Sequence, residues 1–144
     1  SYFKEIDDAN LPAEKLEKIR TVFKSDVDHV RSILDPTRVE LHKGWIPAVF
    51  DNVEVGNISF AHIDVDLYEP TFEALRYTYP RLTVGGAIAI DDYGSLWFPG
   101  AKAAVDNYIA GLVDGSYLFV KLATGSAMLI KRYQKYHLTA PLTT

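Results

Sequence analysis

Two apolar runs frame the chain, and each ends in acid. Ile58 to Val65 is almost continuously apolar, as expected of a strand covered on both faces, and it runs into Asp64 and Asp66. Gly85-Gly86 turns into a second run, through Ile88 and Ile90, that ends in Asp91, Asp92 and Tyr93. Between them, Glu69-Pro70 opens a helix with Pro70 in its first turn. Phe72, Leu75, Tyr79 and Leu82 then fall on one side of it, and Pro80 stops or kinks it.

Upstream, Leu16, Ile19, Phe23, Val27, Val30 and Leu34 recur at steps of three and four, with Asn10 as cap and Pro12 in the first turn. The same stretch also reads as a helix pair, with Ser25 and Asp28 capping the second member; Asp35-Pro36 ends either version. Val39 to His42 reads as a short strand, and Lys43-Gly44-Trp45 turns out of it. Downstream, Ser95 to Pro99 is a loop, and Ala101 to Val113 is a helix ended by Asp114-Gly115. Tyr117 to Leu122 and Ala127 to Lys131 are strands of a hairpin turned by Ala123-Thr-Gly-Ser126. From Tyr133 the pattern is lost, and an ill-ordered tail is expected. Strands alternating with helices predict an α/β fold with a mostly parallel sheet and a C-terminal antiparallel hairpin.

Composition narrows the chemistry. The chain has 144 residues, 48% hydrophobic and 24% charged, which fits one globular domain with a sizeable core. A net charge of −4 gives no basic footprint for nucleic acid. No apolar run approaches the length of a membrane span, and the first residues do not resemble a signal peptide, so a cytoplasmic protein is expected. With no cysteine, disulfides, thiolate metal sites and thiol catalysis are excluded.

Carboxylates and histidines remain. In parallel sheets ligands bind beyond the carboxyl ends of the strands, where Asp64, Asp66, Asp91 and Asp92 all fall. Four converging carboxylates repel unless protons or a cation neutralise them, and oxygen-only ligands favour Mg²⁺, Mn²⁺ or Ca²⁺. Adjacent Asp91 and Asp92 both reach one ion only if the strand has already broken into a loop, which Tyr93-Gly94 allows. The plain alternative is that these acids cap local turns. His62 is expected to be a hydrogen-bonded core residue, and His42 sits where it could approach the same rim; His29 and His137 read as surface. Trp45, Trp97 and Phe98 suit either packing or a pocket wall, and Tyr68 and Tyr93 each follow an acidic pair that they could orient.

His62-Ile-Asp-Val-Asp-Leu-Tyr68 with Pro70-Thr71, then Gly85-Gly86, Asp91-Asp92-Tyr93 and Pro99-Gly100-Ala-Lys102-Ala-Ala-Val-Asp106, resembles the macrocin O-methyltransferase family. His42-Lys-Gly-Trp45 matches that family's strand end, and the likeness runs from about Val30 to Lys131. The resemblance implies a class I, Rossmann-like methyltransferase fold. It also implies S-adenosylmethionine and Mg²⁺ or Mn²⁺ as cofactors, and a hydroxyl of a sugar or natural product as methyl acceptor. It makes Asp64, Asp91 and Asp92 the metal ligands and Asp66 the general base, and it assigns Gly44 and Trp45 to the cofactor.

The family's acidic, Gly-rich first-strand loop has no counterpart here. Residues 1–132 are therefore expected to be the C-terminal two-thirds of the domain, with 133–144 a tail. On that reading the 58–65 strand has an open edge, which implies a homo-oligomer, a dimer in the simplest case, or the 39–42 strand moving in. The alternative is a non-catalytic or degenerate methyltransferase-like domain that self-associates. Two rivals share an Asp-x-Asp strand end. In a haloacid-dehalogenase-type phosphatase, Leu67-Tyr68 would not follow it, and the second acidic pair would not come so soon. In a metal-dependent glycosyltransferase, the terminal hairpin and Asp91-Asp92 would be out of place.

Overall fold

This computed structural model describes Glu14 and residues 26–133. The first described element, α1 (Val27–Ile33), is the short second helix of the pair, with Asp26 rather than Ser25 as its cap. Asp26 Oδ1 accepts from the backbone N–H of Asp28 at 3.0 Å. The proposed helix residues before 26 other than Glu14, and the tail after 133, lie outside the described residues.

Among the described residues the sheet has four strands: β1 (Ile58–Ile63), β2 (Leu82–Ile90), β3 (Tyr117–Lys121) and β4 (Ala127–Lys131), in the order β1-β2-β4-β3. β1 and β2 are parallel, joined by the helix α2 (Tyr68–Arg81); the hairpin β3-β4 adds to β2 in antiparallel sense. The expected strand at Val39–His42 does not form, and a 3₁₀ turn at Ala48–Asn52 precedes β1 instead. Among the described residues the parallel part of the sheet is therefore a single pair.

Helices α2 and α3 (Pro99–Ala110) cover one face of the sheet. Leu75 and Tyr79 from α2 and Val105 from α3 pack on Ile63, Ile88, Ile90 and Leu129. Leu75, Ile88, Val105 and Leu129 are wholly buried. Burial of this kind stabilises by about 1.5–3 kcal/mol per large side chain. Pro80 does not stop α2, which ends one residue later, with the Leu82 N–H donating to Tyr79 O. Helix α3 starts and stops earlier than its periodicity predicts.

The other face corrects the sequence reading. β1 was expected to be covered on both sides, yet Phe60 is 60% exposed, and Val84, Leu118 and Val120 are also exposed among the described residues. His62, expected in the core, is exposed on β1. An apolar strand signals potential for burial on both faces; it does not supply the second cover.

Register depends on two glycines. Ile58 pairs with Leu82 and Phe60 with Ala87, so β2 carries extra residues opposite Ser59. Gly85 takes φ +81 in this bulge, and a Cβ on Gly86 would meet Ser59 O at 3.0 Å and Thr83 O at 2.9 Å. Beyond the bulge the ladder runs Ala61↔Ile88, His62↔Ala89 and Ile63↔Ile90. Both strands thus end level.

Candidate metal centre

Level strand ends set the site. After Ile63 and Ile90 the next residues are Asp64 and Asp91, leaving the sheet side by side. β2 does break into a loop, a 3₁₀ turn over Asp91–Gly94, and this brings Asp92 to the same side as its neighbour. One carboxylate oxygen each from Asp64, Asp91 and Asp92 lies within 4.8 Å of the others. Oxygens bound to one hard cation at about 2.1–2.5 Å sit no more than about 5 Å apart, so the set has the right span.

Asp66 joins from below. The chain beyond β1 makes a three-residue turn in which the Leu67 N–H donates to Val65 O at 2.6 Å, and Asp66 at its centre takes φ +61. This left-handed turn ends the strand two residues before the expected Val65. It points the Asp66 carboxyl at Asp92, with which it shares a hydrogen bond when one of the two is protonated. Burial raises the Asp66 pKa; the Asp92 hydrogen bond opposes this, while the charges of Asp64 and Asp91 add to it. Asp92 is pushed up to about 7, first by burial, then by its hydrogen bond to Asp66 and the charges of Asp66, Asp64 and Asp91. Its Oδ2 is buried and meets no hydrogen-bond donor. Among the described residues it is the buried side-chain oxygen left without a partner, which suits a proton or a cation.

Packing around the acids holds the loop in place. Tyr93 is buried, its ring edge-on to Phe119 at 5.0 Å, and its hydroxyl donates to Asp106 Oδ1 at 2.8 Å. Lys102 pairs with the other oxygen of Asp106. Burial would raise the Asp106 pKa, but these two donors bring it below the usual carboxylate value. The tyrosine expected to orient the acids therefore anchors their loop to α3. The Tyr68 hydroxyl accepts from Asn107 at 3.0 Å, another tie to α3. The Gly94 N–H donates to Gly125 O in the β3-β4 turn. A Cβ on Gly94 would lie 2.8 Å from that oxygen, so only glycine permits the approach.

Other candidates stand apart. His42 pairs locally with Glu40 at 2.9 Å. Gly44 backs onto Val49, while Trp45 is 89% exposed, so nothing described encloses a cofactor there. Trp97 is half-exposed and Leu96 is 90% exposed, in the loop just after the acids. Sequence reasoning missed Ser126, whose Oγ donates to Asp91 Oδ1 at 3.2 Å. The signal was available: an antiparallel hairpin strand starting at Ala127 opposite Ile90 brings residue 126 up to residue 91.

Comparison with known proteins supplies a context. The profile of the Macrocin-O-methyltransferase (TylF) family matches residues 5–111. The demethyldecarbamoylnovobiocin O-methyltransferase of Streptomyces niveus is 34% identical over 73 residues, 51% of this chain and 27% of that protein. The 8-demethyl-8-(2,3-dimethoxy-alpha-L-rhamnosyl)-tetracenomycin-C 4'-O-methyltransferase of Streptomyces olivaceus is 35% identical over 96 residues, 67% of this chain and 33% of that protein. The chain thus spans about a third or less of these curated relatives. The solved structure of the O-methyltransferase NovP superposes with a TM-score of 0.71 at 25% identity, over 89% of this chain and 55% of that one.

The acid cluster makes a pH dependence testable. A raised Asp92 pKa means the folded, metal-free protein holds a proton that the unfolded chain releases at its ordinary value of 3.8. Stability from this group is therefore fully present below about pH 4 and is lost as pH rises through about 7. Asp92→Asn is expected to flatten this fall. In metal-free denaturant titrations the variant gains on the parent between pH 5 and pH 8, and an unchanged difference across that window would remove the assignment.

Proposed function

This chain belongs to the Macrocin-O-methyltransferase family, and from that premise we propose that it acts in S-adenosylmethionine-dependent, divalent-metal-dependent methylation of a hydroxyl on a sugar or natural product. The observation that carries the metal half is the orphaned, buried Asp92 Oδ2 within a trio of carboxylates of the right span. Asp64, Asp91 and Asp92 would hold Mg²⁺ or Mn²⁺, both of which favour oxygen donors. When bound, the cation supplies Lewis-acid polarisation of the acceptor hydroxyl.

The chain's own groups do the rest. Asp64 and Asp91 come from two different strand ends, so their separation is fixed by the ladder beneath them. Asp66 sits within reach of Asp92 and carries a raised pKa, which suits a carboxylate that accepts the hydroxyl proton. The exposed Leu96 and Trp97 offer an apolar surface beside the acids for the non-reacting part of an acceptor. S-adenosylmethionine would supply the methyl group, with Gly44 and Trp45 as the chain's contribution to its site, where Trp45 stands 89% exposed. That exposure favours a second reading, a methyltransferase-like domain that folds and associates without catalysing. The β1 strand supports association: among the described residues its outer edge has no partner, and a strand from a second copy would satisfy it.

Three outcomes test these readings. Mn²⁺ at about 100 times its Kd stabilises the fold by about 2.7 kcal/mol at pH 8, read by thermal unfolding, and Asp64→Asn abolishes the gain; a melting temperature indifferent to Mn²⁺ counts against the centre. Calorimetric titration with S-adenosylmethionine gives micromolar binding on the catalytic reading and no heat on the second. Sedimentation equilibrium returns a dimer mass, whereas a single-chain mass at high concentration rejects association through β1.

A further inference from the structure

The β3-β4 turn carries no carboxylate of its own, and it touches the acidic rim twice. The Gly94 N–H donates to Gly125 O, at an approach that a side chain on Gly94 would forbid. One residue on, the Ser126 hydroxyl donates to Asp91 Oδ1 at 3.2 Å. Neither contact is incidental to the fold. Ile90 pairs with Ala127, so the ladder itself delivers residue 126 to the start of the acidic loop. The turn is closed by Leu122 N–H to Ser126 O at 2.9 Å and by Gly125 at φ +97, which fixes where the hydroxyl originates.

We infer that Ser126 is a positioning residue for Asp91, one that holds the Asp91 carboxylate in its ligating rotamer. This rests on the cation reading given above. A free aspartate at a strand end rotates between rotamers, and among like charges it swings outward. A hydroxyl donor on one oxygen opposes that swing while adding no negative charge. Partners of this kind around a metal site are worth about 10–100-fold in affinity. Asp92 is part-buried, whereas Asp91 is exposed, and among the hydrogen bonds described for its side chain the one from Ser126 is the one that restrains it.

The test uses the full chain and Mn²⁺ as the probe, followed by electron paramagnetic resonance of the free ion at pH 8. Ser126→Ala weakens Mn²⁺ binding about tenfold, and Ser126→Thr, which keeps the hydroxyl, stays within about twofold of the parent. Metal-free unfolding midpoints measured alongside show whether either variant has simply lost the turn. An unchanged Kd in Ser126→Ala overturns the inference while leaving the cation reading intact. Equal losses in the alanine and threonine variants also overturn it, since the hydroxyl is then not the cause. If the parent chain binds no Mn²⁺, the cation reading falls and this inference falls with it.

Discussion

The site depends on one register. Because β1 and β2 are parallel and Ile63 lies opposite Ile90, both strands run out at the same height. Their next residues are acids, so two like charges from segments far apart in sequence are delivered side by side. A slip of one residue would turn Asp64 or Asp91 to the wrong face. The Gly85-Gly86 bulge sets that register by absorbing the extra residues of β2 below the paired stretch. A detail at the bottom of the sheet thereby decides which groups meet at the top.

Holding carboxylates together opposes folding, and the surroundings show how this is offset. The strands beneath are anchored in the most buried part of the molecule, with Ile88, Ile90 and Leu129 under α2 and α3. The loop that follows is tied to α3 through Tyr93 and Asp106 and to the hairpin through Gly94 and Gly125. What remains unbalanced is local: a half-buried Asp92 with one oxygen lacking a donor. An imbalance confined to one atom, in a frame that is otherwise satisfied, marks a place shaped for a ligand more than a flaw in packing.

Much of this was legible in the sequence. The apolar runs, the helix between them and the hairpin followed from periodicity, and the position of the acids followed from the rule that ligands gather beyond parallel strand ends. The same rule put Asp64, Asp66, Asp91 and Asp92 at one rim, while the choice of Asp64, Asp91 and Asp92 among them came from the family resemblance. The errors have physical causes. Val39–His42 has strand-like composition, but a strand needs a neighbour, and composition does not name one. The exposure of His62 and Phe60 depends on what covers the second face, which no local pattern encodes. Tyr93 sits beside the acids in sequence, yet its hydroxyl faces away to Asp106, because neighbours along a chain need not point together.

The turn at Asp66 has a consequence for how this position can change over time. Its backbone sits at φ +61, where a side chain costs about 1–2 kcal/mol, Gly is free of that cost, and Asn and Asp are tolerated better than longer side chains. A drift to asparagine or glycine is conformationally easy but discards the acid. A drift to glutamate keeps the acid but strains the backbone and lengthens the arm. The usual exchange between the two acidic residues is closed here, so an acid at this point in the chain is bound to the shorter of the two side chains.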